Sequence, residues 1–321
     1  MNVADRSAAI VVDGLRKSYA GRDVVRGVSF RIEAGECFGL LGHNGAGKTT
    51  TIEILEGYLD RDAGTVSVLG CDPADATAEW RRRIGVVLQD MDVFPTLTVV
   101  ETVRMFADLY PDPRGVAETI DMVGLTPRSS ARVGGLSGGE KRRLDVALGI
   151  IGDPELLFLD EPTTGLDPAA RREVWAMVDE LKGTGVTIVL TTHYMDEAQI
   201  LADRLVILDD GVVAANGTFD ELLRDHGDAT TISFRLPVAV PADSMVAAVG
   251  VAVGVEMRVD GPQAEFASID PQRDLFRLLG WADERGVALE NLALRRNSLE
   301  DLFLSVSAEG ADTGAVTGAQ R

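Results

Sequence analysis

The chain has 321 residues, 45% apolar and 26% charged, which describes an ordinary globular protein with room for a nucleotide-sized domain and a smaller second one. A formal net charge of -20 with no basic stripe opposes a nucleic-acid partner, because an acidic surface repels a phosphate backbone. The two cysteines, Cys37 and Cys71, lie far apart with no paired histidines, which excludes a disulfide framework or a zinc site.

The first residues carry no apolar stretch of a signal peptide, and the longest apolar run, residues 245–255, is too short to cross a bilayer. A cytoplasmic protein is expected, whose membrane-spanning partner, if it has one, is another chain. Residues 8–19 and 28–32 read as strands, followed by the turn 33–36. Tyr19 precedes a glycine-rich loop, where its ring is placed to stack on a base or simply to pack at a strand end.

The stretch that organises the chain comes next. A short apolar strand, 36–41, runs into Gly42, His43, Asn44, Gly45, Ala46, Gly47, Lys48, Thr49 and Thr50, and a helix over 49–58 follows. Gly-x-x-x-x-Gly-Lys-Thr between a strand and a helix is a phosphate loop: backbone N–H groups wrap the phosphates, the lysine reaches the outer ones and the threonine hydroxyl meets Mg²⁺. The alternative is a glycine-rich turn capping an ordinary strand.

Strands over 65–69 and 84–88 are expected, the second ending at Gln89, a polar amide aimed beyond the sheet edge. A helical insert follows, with a capping box at Thr98 and Glu101 opening a helix to about residue 110 and a second helix over 115–123. The apolar side chains of residues 92–97 suit a partner surface or the insert's own core. Ser137, Gly138, Gly139 and Glu140 then open a helix over 141–151, a second helix start with exposed N–H groups. Either Ser137 is only an N-cap, or this second anion site faces another molecule's nucleotide.

The apolar strand 155–159 ends in Asp160 and Glu161. Paired carboxylates at a buried strand tip are costly unless they meet a cation or act on water. Beside a phosphate loop, Asp160 reads as the Mg²⁺ carboxylate and Glu161 as the residue that orients or deprotonates the attacking water. Asp167 and Pro168 start a helix to residue 182, and the strand 186–191 leads to His193, a third polar strand tip and a candidate for the γ-phosphate. A lone histidine is more often structural, and His43 and His226 read so on their own. A hairpin at 204–216 and a helix over 220–225 close the first domain. From residue 230 a β-α-β-β-α-β order suggests a small ferredoxin-like domain. A last helix from Ser298 carries an apolar stripe at Leu299, Leu302, Phe303 and Val306, and residues 308–321 read as a disordered tail.

Taken together, Gly42–Thr49, Gln89, Leu136–Glu140, Asp160 with Glu161, Asp167 and His193 resemble, in that order, the ATP-binding subunit of ABC transporters over residues 10–224. The resemblance implies an α/β fold: a P-loop ATPase domain over 1–226 with a mixed sheet and a helical subdomain at about 90–155, and a small α+β domain over 229–307. It further implies ATP and Mg²⁺ as cofactors. Gly42 to Thr50 would hold the phosphates and Tyr19 the adenine, with Thr49, Gln89 and Asp160 on the metal. Ser137, Gly138 and Gly139 would form the signature loop, Glu161 the base and His193 the switch histidine, with Lys48 and Gln89 assisting. Asp167 would pass between subunits.

The wording of residues 41–47 and 298–304 looks most like the daunorubicin-resistance type of drug-export ATPase. His43 stands where proline is usual and Glu140 where methionine or glutamine is common. The implied protein is a homodimer, peripheral on the inner face of the cell membrane, driving export of an amphipathic small molecule through separately encoded membrane subunits. An importer ATPase would share every catalytic residue; a soluble non-transport ATPase would more often carry two nucleotide domains or coiled-coil arms.

Overall fold

The computed structural model describes residues 8–88, 94–225, 230–235 and 257–296, arranged as two compact units, Met1–Phe219 and Asp220–Arg321. Gln89, His226, the expected helix at 242–249, the last helix from residue 298 and the tail lie outside the described residues.

In the first unit, β1 (Ala8–Tyr19), β2 (Arg22–Glu33) and β4 (Ala63–Val68) form an antiparallel sheet in the order β2-β1-β4. Strand β2 begins six residues ahead of the expected one. Ala20 and Gly21 both take positive φ, 49° and 81°, which makes a tight hairpin that carries β1 directly into β2 despite the charged residues that follow.

The second sheet holds β3 (Cys37–Leu41), β5 (Ile84–Val87), β6 (Leu156–Asp160), β7 (Thr187–Thr192), β8 (Arg204–Asp209) and β9 (Val212–Gly217), ordered β5-β6-β7-β3-β8-β9. All neighbours are parallel except β8 and β9, the expected hairpin. A parallel sheet is covered on both faces, and its strands alternate their side chains between two cores. Phe38, Leu40, Leu156, Phe158 and Val189 pack with the three-stranded sheet and α1 (Lys48–Leu55). Cys37, Leu157, Leu159, Ile188 and Leu190 pack with α3 (Val99–Ala107), α5 (Gly138–Ile150) and α6 (Pro168–Lys182). Burial pushes the Cys37 thiol up to about 12, so it behaves as a small apolar side chain.

Helix α5 lies unusually close to β5. A Cβ added at Gly85 would sit 2.2 Å from the carbonyl oxygen of Gly149, and one at Gly149 would sit 2.6 Å from Val87, so both positions exclude any side chain. Short helices α2 (Ala78–Arg82), α4 (Val116–Met122) and α7 (Met195–Leu201) complete the unit.

The second unit contains α8 (Phe219–Asp225), β10 (Thr230–Arg235), β11 (Arg258–Asp260), β12 (Gln263–Ser268), α9 (Pro271–Arg285) and β13 (Glu290–Arg296). Its strands pair antiparallel in the order β11-β12-β10-β13, with a core of Ile232, Phe234, Phe266, Leu278 and Trp281.

Candidate functional site

Four adjacent parallel strands, β5, β6, β7 and β3, end at one sheet edge, so the residues that follow them share one place. Register fixes the match: Asp160 lies opposite Thr191, and Leu41, the residue before the glycine loop, opposite Thr192.

The loop from Gly42 to Lys48 is held by its glycines. A Cβ on Gly42 would lie 2.6 Å from the carbonyl of Leu208, and one on Gly47, whose φ is 100°, would lie 2.8 Å from the carbonyl of Val24. Only glycine fits a left-handed turn pressed against backbone. The Gly211 N–H in the β8–β9 turn donates to Ala46 O at 3.1 Å, and Thr51 Oγ1 donates to Gly47 O at 2.8 Å. Helix α1 therefore starts with its free N–H groups turned to the loop's interior. The expected end of α1 at residue 58 is moved back to Leu55 by Gly57, which turns left-handed at φ 73°.

Lys48 is buried, and its Nζ donates to Gly42 O at 2.7 Å and His43 O at 3.2 Å. Burial pulls its ammonium below the usual lysine range, opposed by the carboxylates of Glu161 and Asp160. His43 turns away from the loop's centre, with Nε2 3.1 Å from Asp209 Oδ1 and Nδ1 2.8 Å from Asn44 O.

At the tip of β6, the Thr191 hydroxyl donates a short bond to Asp160 Oδ1 and accepts the Glu161 N–H at 3.0 Å. Glu161 itself takes a left-handed φ of 44°, a conformation that costs a non-glycine residue on the order of 1 kcal/mol. Its Oε2 accepts from Thr164 Oγ1 at 3.0 Å, and its Oε1 lies 3.3 Å from His193 Nδ1. Beside His193 the Tyr194 ring lies tilted by 38° at a centroid distance of 4.1 Å, with the Arg171 guanidinium 4.1 Å from that same ring.

A cleft of about 390 Å³ is lined by Val24, Asn44, Gly45, Gly47, Lys48, Thr49, Thr50 and Glu161. The phosphate loop and the glutamate expected to act on water thus share one space. Among the described residues its lining includes neither Tyr19, which is 44% exposed at the end of β1, nor Ser137, Gly138 or Gly139. Those three open α5 through a capping box: Ser137 N–H donates to Glu140 Oε2 at 2.8 Å, and Glu140 N–H to Ser137 Oγ at 3.2 Å. Glutamate at this unusual position serves the cap, and the bond from Ser137 N–H holds its carboxyl below the usual range. Ser137 Oγ accepts in the cap, and its hydroxyl also bonds the Glu140 carboxylate. Asp167 caps α6 by accepting from Ala169 and Ala170 N–H, and Gly139 packs against Ala170.

Thr191, Thr164, Tyr194, Arg171 and Arg142 were not candidates from sequence. A threonine inside an apolar strand, or one arginine of a pair on a buried helix, has no local pattern that marks it. The doubled threonine before His193 was the one available signal, since a buried hydroxyl needs a partner.

Could the site hold a magnesium ion? No cluster of three or more His, Cys, Asp or Glu converges among the described residues. One oriented carboxylate, Asp160, beside a cleft lined by the Thr49 hydroxyl suits an ion that takes most of its remaining oxygens from water and phosphate, as Mg²⁺ does.

A glycine-wrapped phosphate loop at the carboxyl edge of a parallel sheet, with two adjacent carboxylates at the tip of β6, two strands away, defines a P-loop nucleotide hydrolase. Comparison with known proteins narrows the class. The ABC transporter family model matches residues 25–164, and the model for the ABC transporter domain-containing protein-like C-terminal domain matches residues 230–298. The chain is 36% identical to the doxorubicin resistance ATP-binding protein DrrA of Mycobacterium tuberculosis, over 98% of each chain. It is 39% identical to the daunorubicin/doxorubicin resistance ATP-binding protein DrrA of Streptomyces peucetius, over 95% of this chain and 94% of that one. A solved ATP-binding subunit of an ABC transporter superposes with a TM-score of 0.60 at 31% identity, covering 68% of this chain and 93% of its own. The chain belongs to the ATP-binding subunits of ABC transporters and is an ATPase homologous to drug-resistance exporters.

Proposed function

We propose that this ATPase works as a homodimer with ATP sandwiched between two copies, powering export of a drug-like or amphipathic small molecule through separately encoded membrane subunits. The observation that carries the dimer is the division of the site. The cleft holds the phosphate loop and Glu161, while Ser137, Gly138 and Gly139 present a second helix start outside it. One nucleotide with donors from both sources closes the gap between two chains. The export reading rests on the drug-resistance names of the full-length relatives. No helix among the described residues is long and apolar enough to cross a membrane. The exposed side chains of Leu88 and Phe94, which flank the segment containing Gln89, offer the membrane subunits apolar contact.

In this reading Lys48 exchanges its bonds to Gly42 O and His43 O for phosphate oxygens, and the N–H groups from Gly42 to Thr50 fix the phosphates. Thr49, Asp160 and Gln89 would hold Mg²⁺, which would supply charge neutralisation to the phosphate oxygens. Glu161 takes a proton from the attacking water, while Thr164 and His193 hold its two oxygens in place. Loss of the γ-phosphate then removes the charge that bridges the two copies, and their parting is the stroke passed to the membrane subunits.

Light scattering and turnover test this. Glu161→Gln is expected to bind MgATP, to dimerise with it and to hydrolyse at least about a hundredfold more slowly, the scale of losing a general base. Ser137→Arg is expected to bind ATP as a monomer and to turn over nothing. Full-speed hydrolysis by dilute protein with no dimer, or normal turnover by Glu161→Gln, overturns the reading.

A further inference from the structure

The helix that begins at the signature loop reaches the catalytic strand tips through one buried side chain. Arg142, one turn into α5, is almost fully buried. Its Nε donates to Pro162 O at 2.9 Å, one terminal nitrogen to Asp160 O at 2.6 Å, and the other to Leu88 O at 2.5 Å. Those carbonyls belong to the residues on either side of Glu161 and to the residue just ahead of Gln89. A guanidinium carries its donors in a fixed plane, so bonding three carbonyls at once fixes two chain segments, the one around Glu161 and the end of β5, relative to α5.

Glu161 needs such fixing. Its left-handed φ of 44° is unfavourable for a glutamate and persists only where the surroundings over-determine it. On one side its N–H is held by Thr191, whose carbonyl and hydroxyl lie 3.2 and 3.0 Å away. On the other, the peptide carbonyls before and after it are held by Arg142. The amino end of α5 in turn packs Gly139 on Ala170, and its carboxyl end sits on β5 through Gly149 and Gly85. The hydrogen-bonded backbone of α5 is stiff over the one turn from the signature loop to Arg142, so a displacement at its amino end is passed to that side chain.

We propose that Arg142 is a positioning residue for hydrolysis: it clamps the backbone around Glu161 to the signature helix, so that the geometry of the base follows that helix. The proposal rests on Glu161 acting as the base. It gives each copy a way to register, at its own glutamate, that its signature loop has met the partner's nucleotide. Leu88 O places the segment entering Gln89 under the same side chain.

Arg142→Gln and Arg142→Lys test it in the full chain, with thermal unfolding and monomer ATP affinity measured alongside turnover. Arg142→Gln is expected to lower kcat about thirtyfold or more while leaving KM for ATP within about threefold, since the loss is confined to the transition state. Arg142→Lys keeps the charge but not the planar fork, and is expected to fall between it and the wild type. In single turnovers Glu161→Gln and the Arg142→Gln/Glu161→Gln double variant are expected to agree within about twofold, because a base already misplaced has little left to lose. A structural role alone would multiply the two penalties and weaken ATP binding with stability, and that result overturns the proposal. So does a wild-type kcat in either arginine variant. If Arg142→Gln does not fold, the lysine variant decides by the same kcat and ATP-driven dimerisation. A Glu161→Gln enzyme with normal turnover would instead remove the base itself, which is a failure of the functional reading rather than of the clamp.

Discussion

Replacing Thr191 by valine isolates how the strand tips hold the carboxylates. Valine keeps the shape of the side chain at a position only 1% exposed and removes the hydroxyl that donates to Asp160 Oδ1 and accepts from Glu161 N–H. The amide keeps an alternative acceptor in Thr191 O at 3.2 Å, so its share of the loss is small. The carboxylate has no such substitute in Thr191, and a hydrogen bond to a charged group is worth about 1.5–3 kcal/mol. A destabilisation of roughly 2–3 kcal/mol is expected in urea titrations of the nucleotide-free protein. Since partners behind a metal ligand commonly control affinity, the Mg²⁺ concentration for half-maximal ATPase activity should rise about tenfold or more. Thr191→Ser retains the hydroxyl and is expected to recover most of both effects. A stability loss below about 0.5 kcal/mol with an unchanged Mg²⁺ titration would refute the reasoning, as would a serine variant no better than valine.

Much of this site was legible because each piece combines a chemical motif with an element boundary. Gly42 to Thr49 could be placed between a strand and a helix, and the structure runs them from the end of β3 into the first turn of α1. Asp160 was readable because it ends an unbroken apolar run, the mark of a strand covered on both faces whose first polar residue escapes at the edge, and His193 because it follows the tip of another such buried strand. Ser137 with Glu140 was visible as a helix start, and the structure makes it a full capping box. What stayed hidden depends on three-dimensional neighbours. Arg142 and Arg143 are adjacent on a helix buried nearly all round, so no polar stripe tells which is inside. The structure buries Arg142 under three carbonyls and leaves Arg143 to an ion pair with Glu173 at 3.4 Å. Likewise the left-handed turns at Ala20 and Gly57 set where β2 starts and α1 stops, and neither strand nor helix propensity encodes them.

Two further outcomes follow from the geometry. Gly47→Ala places a Cβ 2.8 Å from Val24 O at a φ of 100°, so ATP binding measured by calorimetry should weaken by about a hundredfold or more; unchanged affinity would show that the loop is not held where the structure puts it. Glu56, 8% exposed at the end of α1, supplies a pH test. Burial, reinforced by Asp160 and Glu53, raises its carboxyl from 4.5 to about 8. The folded chain therefore keeps a proton that the unfolded chain loses above about 4.5, and stability declines as pH rises through that window to about 8. At about 1.4 kcal/mol per unit the full shift caps the effect near 5 kcal/mol, and relaxation at the site reduces it to roughly 2–4. Glu56→Gln, which cannot ionise, should match the wild type at pH 5 and exceed it by that amount at pH 8.5 in urea melts of nucleotide-free protein. Parallel pH profiles for the two proteins would mean that Glu56 already ionises freely in the folded state, and that the end of α1 is open to water.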